Sequence, residues 1–123
     1  MPVPILKDRD VLIASIQAAL SDDDLTELRD ALADGIGRLR ARGVVIDVGA
    51  LDIVDSFATR TIRSIAYTAK LRGATTVVVG IQPDVAMAMV QLGLTLEGVL
   101  TALDLEEGLE LLRNRSRDGR RVR

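Results

Sequence analysis

A chain of 123 residues with no cysteine and no histidine has few routes to chemistry: disulfides, thiolate or imidazole metal sites, and Ser–His or Cys–His nucleophile pairs are all excluded. Its length suits one domain and its 48% hydrophobic content suits one core, which must be aliphatic because the chain holds one Phe, one Tyr and no Trp. Net charge is −2, but residues 114–123 carry five Arg against one Asp, or +4; that leaves −6 on the first 113 residues, an acidic body that argues against broad nucleic-acid binding.

In chain order, Val3-Pro4-Ile5-Leu6-Lys7 reads as a short strand, which Pro2 and Pro4 confine to a sheet edge. The polar run Lys7-Asp8-Arg9-Asp10 turns the chain into a second strand from Val11 to Ile16, so a hairpin is expected. Ser21 starts a helix, with Asp24 three positions on as its capping-box partner. Leu25, Leu28, Leu32, Ile36 and Leu39 then share one helical face. Gly35 and Gly37 interrupt this helix, each at about 1 kcal/mol relative to Ala. Arg38, Arg40 and Arg42 suit its negative end, and Gly43 suits the left-handed position beyond it.

Val44 to Val48 is an apolar, β-branched run, as expected of a strand covered on both faces. The loop after it leads into a helix from Phe57 to Leu71. Its apolar stripe is Ala58, Ile62, Ile65, Ala66 and Ala69, with Thr59, Arg60, Arg63, Tyr67 and Lys70 off it. Gly73 ends that helix, and Thr75 to Gly80 is another buried-type strand. Gln82-Pro83-Asp84 opens a third helix, with Val85, Met89 and Leu92 facing inward and Gly93 as its stop. Met87, Val90 and Leu94 would form an apolar patch off that inward face. A short strand follows near Val99-Leu100, and Asp104 caps a last helix with Leu105, Leu109 and Leu112 as its stripe. The order β-β-α-β-α-β-α-β-α asks for an α/β fold with right-handed crossovers and a mainly parallel sheet. Residues 1–113 would form the domain and 114–123 an Arg-rich flexible tail. No segment reads as a signal peptide or a membrane span, so a cytoplasmic protein is expected.

Asp52-Ile53-Val54-Asp55-Ser56-Phe57 joins the third strand to the second helix. Asp47, Asp52 and Asp55 form an acid cluster, but a phosphoacceptor-Asp or Mg²⁺ site would need further acids and a strand-terminal Lys that the chain does not supply; Asp47 lies within the strand pattern, and turn and capping roles are expected for Asp52 and Asp55. There is no Gly-rich phosphate loop, so neither catalysis nor a cofactor is expected. Ser56 falls at a helix start, where backbone N–H groups lack partners and negative charge is favoured. It can cap the helix, or it can accept a phosphate of roughly −1.5 to −2 charges, drawn by the helix start and Arg60 and repelled by Asp52 and Asp55. The residues alone leave both readings open.

Several stretches together carry a family resemblance: Val3-Pro4-Ile5-Leu6-Lys7, Leu12-Ile13-Ala14-Ser15-Ile16-Gln17, Gly43-Val44-Val45-Ile46-Asp47, Val54-Asp55-Ser56-Phe57, Gly80-Ile81-Gln82-Pro83-Asp84-Val85-Ala86, and Thr101 to Leu109. On these, the chain resembles the STAS domains of the anti-anti-sigma factor family, and more closely the RsbS-type scaffold subunits of stressosomes, to about Leu112. The resemblance implies a mixed, mainly parallel sheet of about five strands with about four helices packed mainly on one side. It implies a non-enzymatic scaffold that co-assembles with RsbR-type paralogues, self-associates as a dimer or larger shell, and sequesters an RsbT-type serine kinase. That kinase would phosphorylate Ser56 and leave under stress, and a phosphatase would reset the site. The expected kinase-docking residues are Asp52, Asp55, Phe57, Thr59, Arg60 and Arg63, with no metal, nucleic acid or membrane involved. A free anti-anti-sigma factor that binds an anti-sigma kinase directly, and is inactivated by phosphorylation of Ser56, is the alternative. Ala58-Thr59-Arg60-Thr61 is more polar than the family pattern and the Arg-rich tail is additional. The N-terminal sensor domain of the RsbR type is missing, so sensing is not expected of this chain.

Overall fold

The computed structural model describes the backbone of residues 3–121 and the side chains of residues 3–115. Nine elements follow the expected order: β1 (Ile5–Asp8), β2 (Val11–Ser15), α1 (Asp22–Leu39), β3 (Gly43–Asp47), α2 (Ser56–Leu71), β4 (Thr75–Val79), α3 (Pro83–Gln91), β5 (Leu100–Ala102) and α4 (Leu105–Arg121). The strands form one sheet in sequence order. β1 pairs antiparallel with β2, Leu6 opposite Ile13, and every later pair is parallel, with Ile13, Val45, Val77 and Leu100 in one row.

The helices divide between the two faces for a topological reason. Parallel strands laid down one after another in a single direction, with crossovers of one hand, place every crossover helix on the same face. α1, α2 and α3 are those crossovers, and they share a core of Leu12, Ala14, Val44, Ile46 and Val78 with Leu32, Ile65 and Val85. α4 follows the last strand, connects nothing onward, and covers the opposite face, where Leu112 meets Val11, Val45, Val77 and Val79. Its close approach depends on a missing side chain: a Cβ on Gly108 would lie 2.7 Å from Val79 Cγ1. Gly35 has a similar reason in α1, since a Cβ there would lie 3.0 Å from Leu12 Cδ1.

The start of α1 is as expected: Ser21 Oγ accepts from Asp24 N, and an Asp24 carboxylate oxygen accepts from Ser21 N. Its end is not. The left-handed residue is Arg40, at φ 52°, while Gly43 is the first, buried residue of β3. Gly43 is there because Leu112 of α4 lies over it, and a Cβ would come within 2.8 Å of Leu112 Cδ1. Leu92 also departs from expectation. It is 71% exposed because α3 is nine residues long and the chain leaves it at Leu92, so the inward face is Val85 and Met89 alone. α4 continues to Arg121, past the point near Leu112 where its stripe ends; the five arginines of residues 113–121 favour helix, while Asn114, Ser116, Asp118 and Gly119 are weaker formers, Gly119 by about 1 kcal/mol.

Charge separates along the strand axis. The segments at the carboxyl ends of the strands, 16–24, 48–59, 80–86 and 103–108, carry Asp and Glu but no Lys or Arg. At the opposite end, 38–42 and 70–73 carry Arg38, Arg40, Arg42, Lys70 and Arg72 and no acid, and the turn and loop before β2 and β5 add Arg9 with Asp8, Asp10 and Glu97. The helix dipoles favour this arrangement, because all crossover helices start at the acidic end. Among the described residues, no helix is long and apolar enough to cross a membrane.

Among the described residues, one buried side-chain polar atom is left unsatisfied. Thr76, in β4, is 1% exposed and its Oγ1 has no hydrogen-bond partner. An unmatched buried hydroxyl costs about 1–3 kcal/mol. Thr76→Val keeps the shape and removes the hydroxyl, so it is expected to stabilise the protein by about 1 kcal/mol and raise the melting temperature by a few degrees. Calorimetry showing a lower melting temperature would overturn this.

Candidate functional site

The segment from β3 to α2 is built as a rigid shelf. At the end of β3, Asp47 Oδ1 accepts from Gly49 N at 2.9 Å, and Val48 N donates to Val79 O at 3.0 Å, which extends the strand pairing by one residue. Leu51 N then donates to Val48 O at 3.0 Å, closing a turn. Gln82 Nε2, at the start of α3, donates to Gly49 O at 2.9 Å and ties this shelf to the next one. Gly80, at φ 81°, packs so closely that a Cβ there would lie 3.1 Å from Gly49 Cα. Leu51 and Val54 sink into the core at 8% and 7% exposure. Two buried anchors three residues apart force the residues around them outward: Asp52, Ile53, Asp55 and Ser56 are all exposed.

The start of α2 assigns the two adjacent polar residues different work. Asp55 is the N-cap, its Oδ1 accepting from Ala58 N at 2.8 Å, and its carbonyl accepts from Thr59 N at 2.9 Å. Ser56 is the first helical residue, and its hydroxyl makes no hydrogen bond among the described residues. The capping role considered for Ser56 therefore belongs to Asp55. The serine oxygen is left pointing into solvent at a helix start, beside N–H groups that no intrahelical carbonyl can satisfy.

The other site residues divide in the same way. Phe57 is half-buried and Arg60 is exposed one helical turn beyond Ser56, with no ion-pair partner among the described residues. Arg63 is half-buried, and its Nη1 donates to Thr95 Oγ1 at 3.3 Å. Thr59 is 1% exposed and its Oγ1 donates to Asp55 O at 2.8 Å, so it braces the cap from behind and presents nothing outward. That removes it from the docking surface expected to include it: a threonine can bury its hydroxyl on the carbonyl four residues back, and its polarity does not keep it outside. Among the described residues, no three acidic side chains converge as metal ligands.

The sequence reading missed a groove. Beside the shelf lies a cavity of about 400 Å³, with Asp52, Asp55 and Ser56 on one side and Val85, Ala88 and Leu92 on the other. The available signal was Ile53, an isoleucine set in a loop between acids and found 75% exposed on the same groove.

Against known proteins, the STAS domain family model matches residues 3–108. A solved Ser-to-Glu variant of RsbS from Moorella thermoacetica is 38% identical with a TM-score of 0.81, covering 94% of this chain and 97% of that one. A chain from the molecular architecture of the stressosome, a signal integration and transduction hub, is 36% identical with a TM-score of 0.75, over 93% of this chain and 99% of that one. The RsbT co-antagonist protein RsbRA of Bacillus subtilis (strain 168) is 23% identical over 108 residues, which are 88% of this chain and 39% of that protein. The chain thus spans about two-fifths of the length of this curated relative.

Proposed function

The chain belongs to the STAS domain family and is of the RsbS type, and on that premise we propose that it is a cytoplasmic stressosome scaffold that holds an RsbT-type serine kinase and is released from it by phosphorylation on Ser56. The protein co-assembles with RsbR-type paralogues through its STAS fold and is the kinase's substrate, with no catalytic role of its own. The observation that carries the choice of Ser56 is the division of labour at α2: Asp55 supplies the cap, so the Ser56 hydroxyl is exposed and unengaged. In the transfer, Ser56 Oγ bonds the γ-phosphorus of ATP as the bond to ADP breaks, and its proton passes to a base of the kinase.

The phosphate adds roughly −1.5 to −2 charges at this point. The helix start and Arg60 attract it; Asp52 and Asp55 repel it. These effects oppose each other within the protein, so the domain itself changes little. A docked partner has no such compensation and is expelled, and a phosphatase then restores the first state.

The test is labelling with the purified RsbT-type kinase of the same organism and γ-labelled ATP. Wild-type protein is expected to take up label, and Ser56→Ala to lose at least nine-tenths of it, on the order of the background. Undiminished label on another residue of the variant would sink the assignment. Sizing the protein mixed with an RsbR-type paralogue tests the scaffold role: a particle far larger than either component is expected, and a one-to-one complex would argue instead for a free anti-sigma antagonist.

A further inference from the structure

The groove beside Ser56 has no cation on its walls. Its charged lining residues are Asp52 and Asp55, so the walls themselves repel a phosphate, a nucleotide or an acidic peptide, and the attraction for an anion comes only from the start of α2 and from Arg60 one turn on, which is not part of the lining. Its remaining surface is aliphatic, and it holds two large side chains left in water, Ile53 at 75% and Leu92 at 71% exposure. Scattered exposed apolar residues are ordinary. Two of them lining one concavity, each on a segment that could have carried a polar residue without loss to the core, ask for a cover.

Geometry says what the cover is. Ser56 stands on the groove itself. An enzyme that brings the γ-phosphorus of ATP to bonding distance of Ser56 Oγ must lay its own surface over the mouth of the groove. We propose that the groove is the anchor by which the kinase grips the unmodified protein, taking an uncharged, apolar side chain of that kinase against Ile53 and Leu92. This rests on the reading of Ser56 as the kinase's substrate. The acidic rim adds a constraint by charge complementarity: residues flanking the anchor are neutral or basic, never acidic.

The groove also explains how one phosphate ends the grip. A dianion on the groove wall must keep its water, because stripping a charge of its hydration without a counter-charge is expensive. An apolar side chain seated beside it would remove that water. The phosphorylated protein therefore rejects the anchor even where a basic flank would otherwise welcome the charge.

The experiment uses the full chain and the purified RsbT-type kinase without ATP, with affinity read by surface plasmon resonance. Ile53→Ala and Leu92→Ala are each expected to weaken capture by roughly ten-fold, as truncation of an anchor pocket does. Ala88→Leu, at an exposed position on the groove wall, is expected to fill the groove and weaken capture at least as much. All three positions are exposed or at the surface, so melting curves are expected to match wild type, and a saturating excess of kinase is expected still to label Ser56 in each. Wild-type affinity in all three variants, with Ser56 labelled normally, would overturn the anchor and leave the substrate reading intact. Loss of self-association in Leu92→Ala with unchanged kinase affinity would also overturn it, assigning the groove to a second copy. If wild-type protein neither binds nor is labelled, both readings fall together.

Discussion

Ser56→Asp is expected to weaken kinase capture by roughly a hundred-fold or more, while the melting temperature stays within about two degrees of wild type. The two halves of this result have different origins. Within the domain, a carboxylate at the first position of α2 gains about 0.3–1 kcal/mol from the helix start. Asp52 and Asp55, both exposed, repel it by a similar amount through water. Across the interface the balance differs: an apolar anchor seated on the groove would strip water from the charge, which costs several kcal/mol, more than the exposed Arg60 or a basic flank at the rim returns. Surface plasmon resonance gives the first number and calorimetry the second. Equal kinase retention by wild type and variant would remove charge as the release signal. A large drop in melting temperature would mean that Ser56 has a structural role its free hydroxyl does not suggest.

Gly80→Ala is the largest expected loss of stability, about 2–5 kcal/mol, or a fall of roughly 6–20 °C in melting temperature. Two penalties add. An L-residue at φ 81° is disfavoured by about 1–2 kcal/mol. The new Cβ would also lie 3.1 Å from Gly49 Cα and 3.2 Å from Gly49 N, and crowding of this kind costs about 1–3 kcal/mol. The obstruction is backbone, so no side chain can swing aside. Gly98 is the control: its φ is 76°, yet nothing lies within 4 Å of where its Cβ would be, so Gly98→Ala carries the first penalty alone. Equal losses at the two positions would show that the contact with Gly49 contributes nothing. Because Gly49 belongs to the shelf that presents Ser56, Gly80→Ala is also expected to slow phosphorylation of the folded protein.

Local periodicity made much of this fold legible. The order of nine elements, the α1 stripe through Leu25, Leu28, Leu32 and Ile36, the Ser21–Asp24 box and the Asp104 cap all depend on residues close in sequence. The sheet order and the side taken by α4 depend on contacts between distant segments, and Gly108 against Val79 can be understood only once both are placed. The same limit applied at the site. The Asp55-Ser56 pair offers two good caps one residue apart, and composition cannot choose between them; the burial of Leu51 and Val54 sets the phase, and the phase makes Asp55 the cap. Thr59 was misplaced because residue type is a poor guide to burial when the helix itself supplies an acceptor. The groove was invisible because its two walls are some thirty residues apart in the chain, with no repeating pattern to link them.

The run of acids in the loops at one end, set against the Arg and Lys where α1 and α2 end at the other, gives the domain a dipole along the strand axis. A basic partner diffusing toward it is turned, before any contact, to face the pole that carries Ser56, and such steering raises the rate of encounter more than the strength of the final grip. Salt shortens the reach of that torque to about 8 Å at physiological ionic strength. The proposed phosphorylation of Ser56 would deepen the negative pole, so it would not slow the arrival of a basic partner. On that proposal, release is expected in the dwell time: the modified protein is met as often as before and let go sooner.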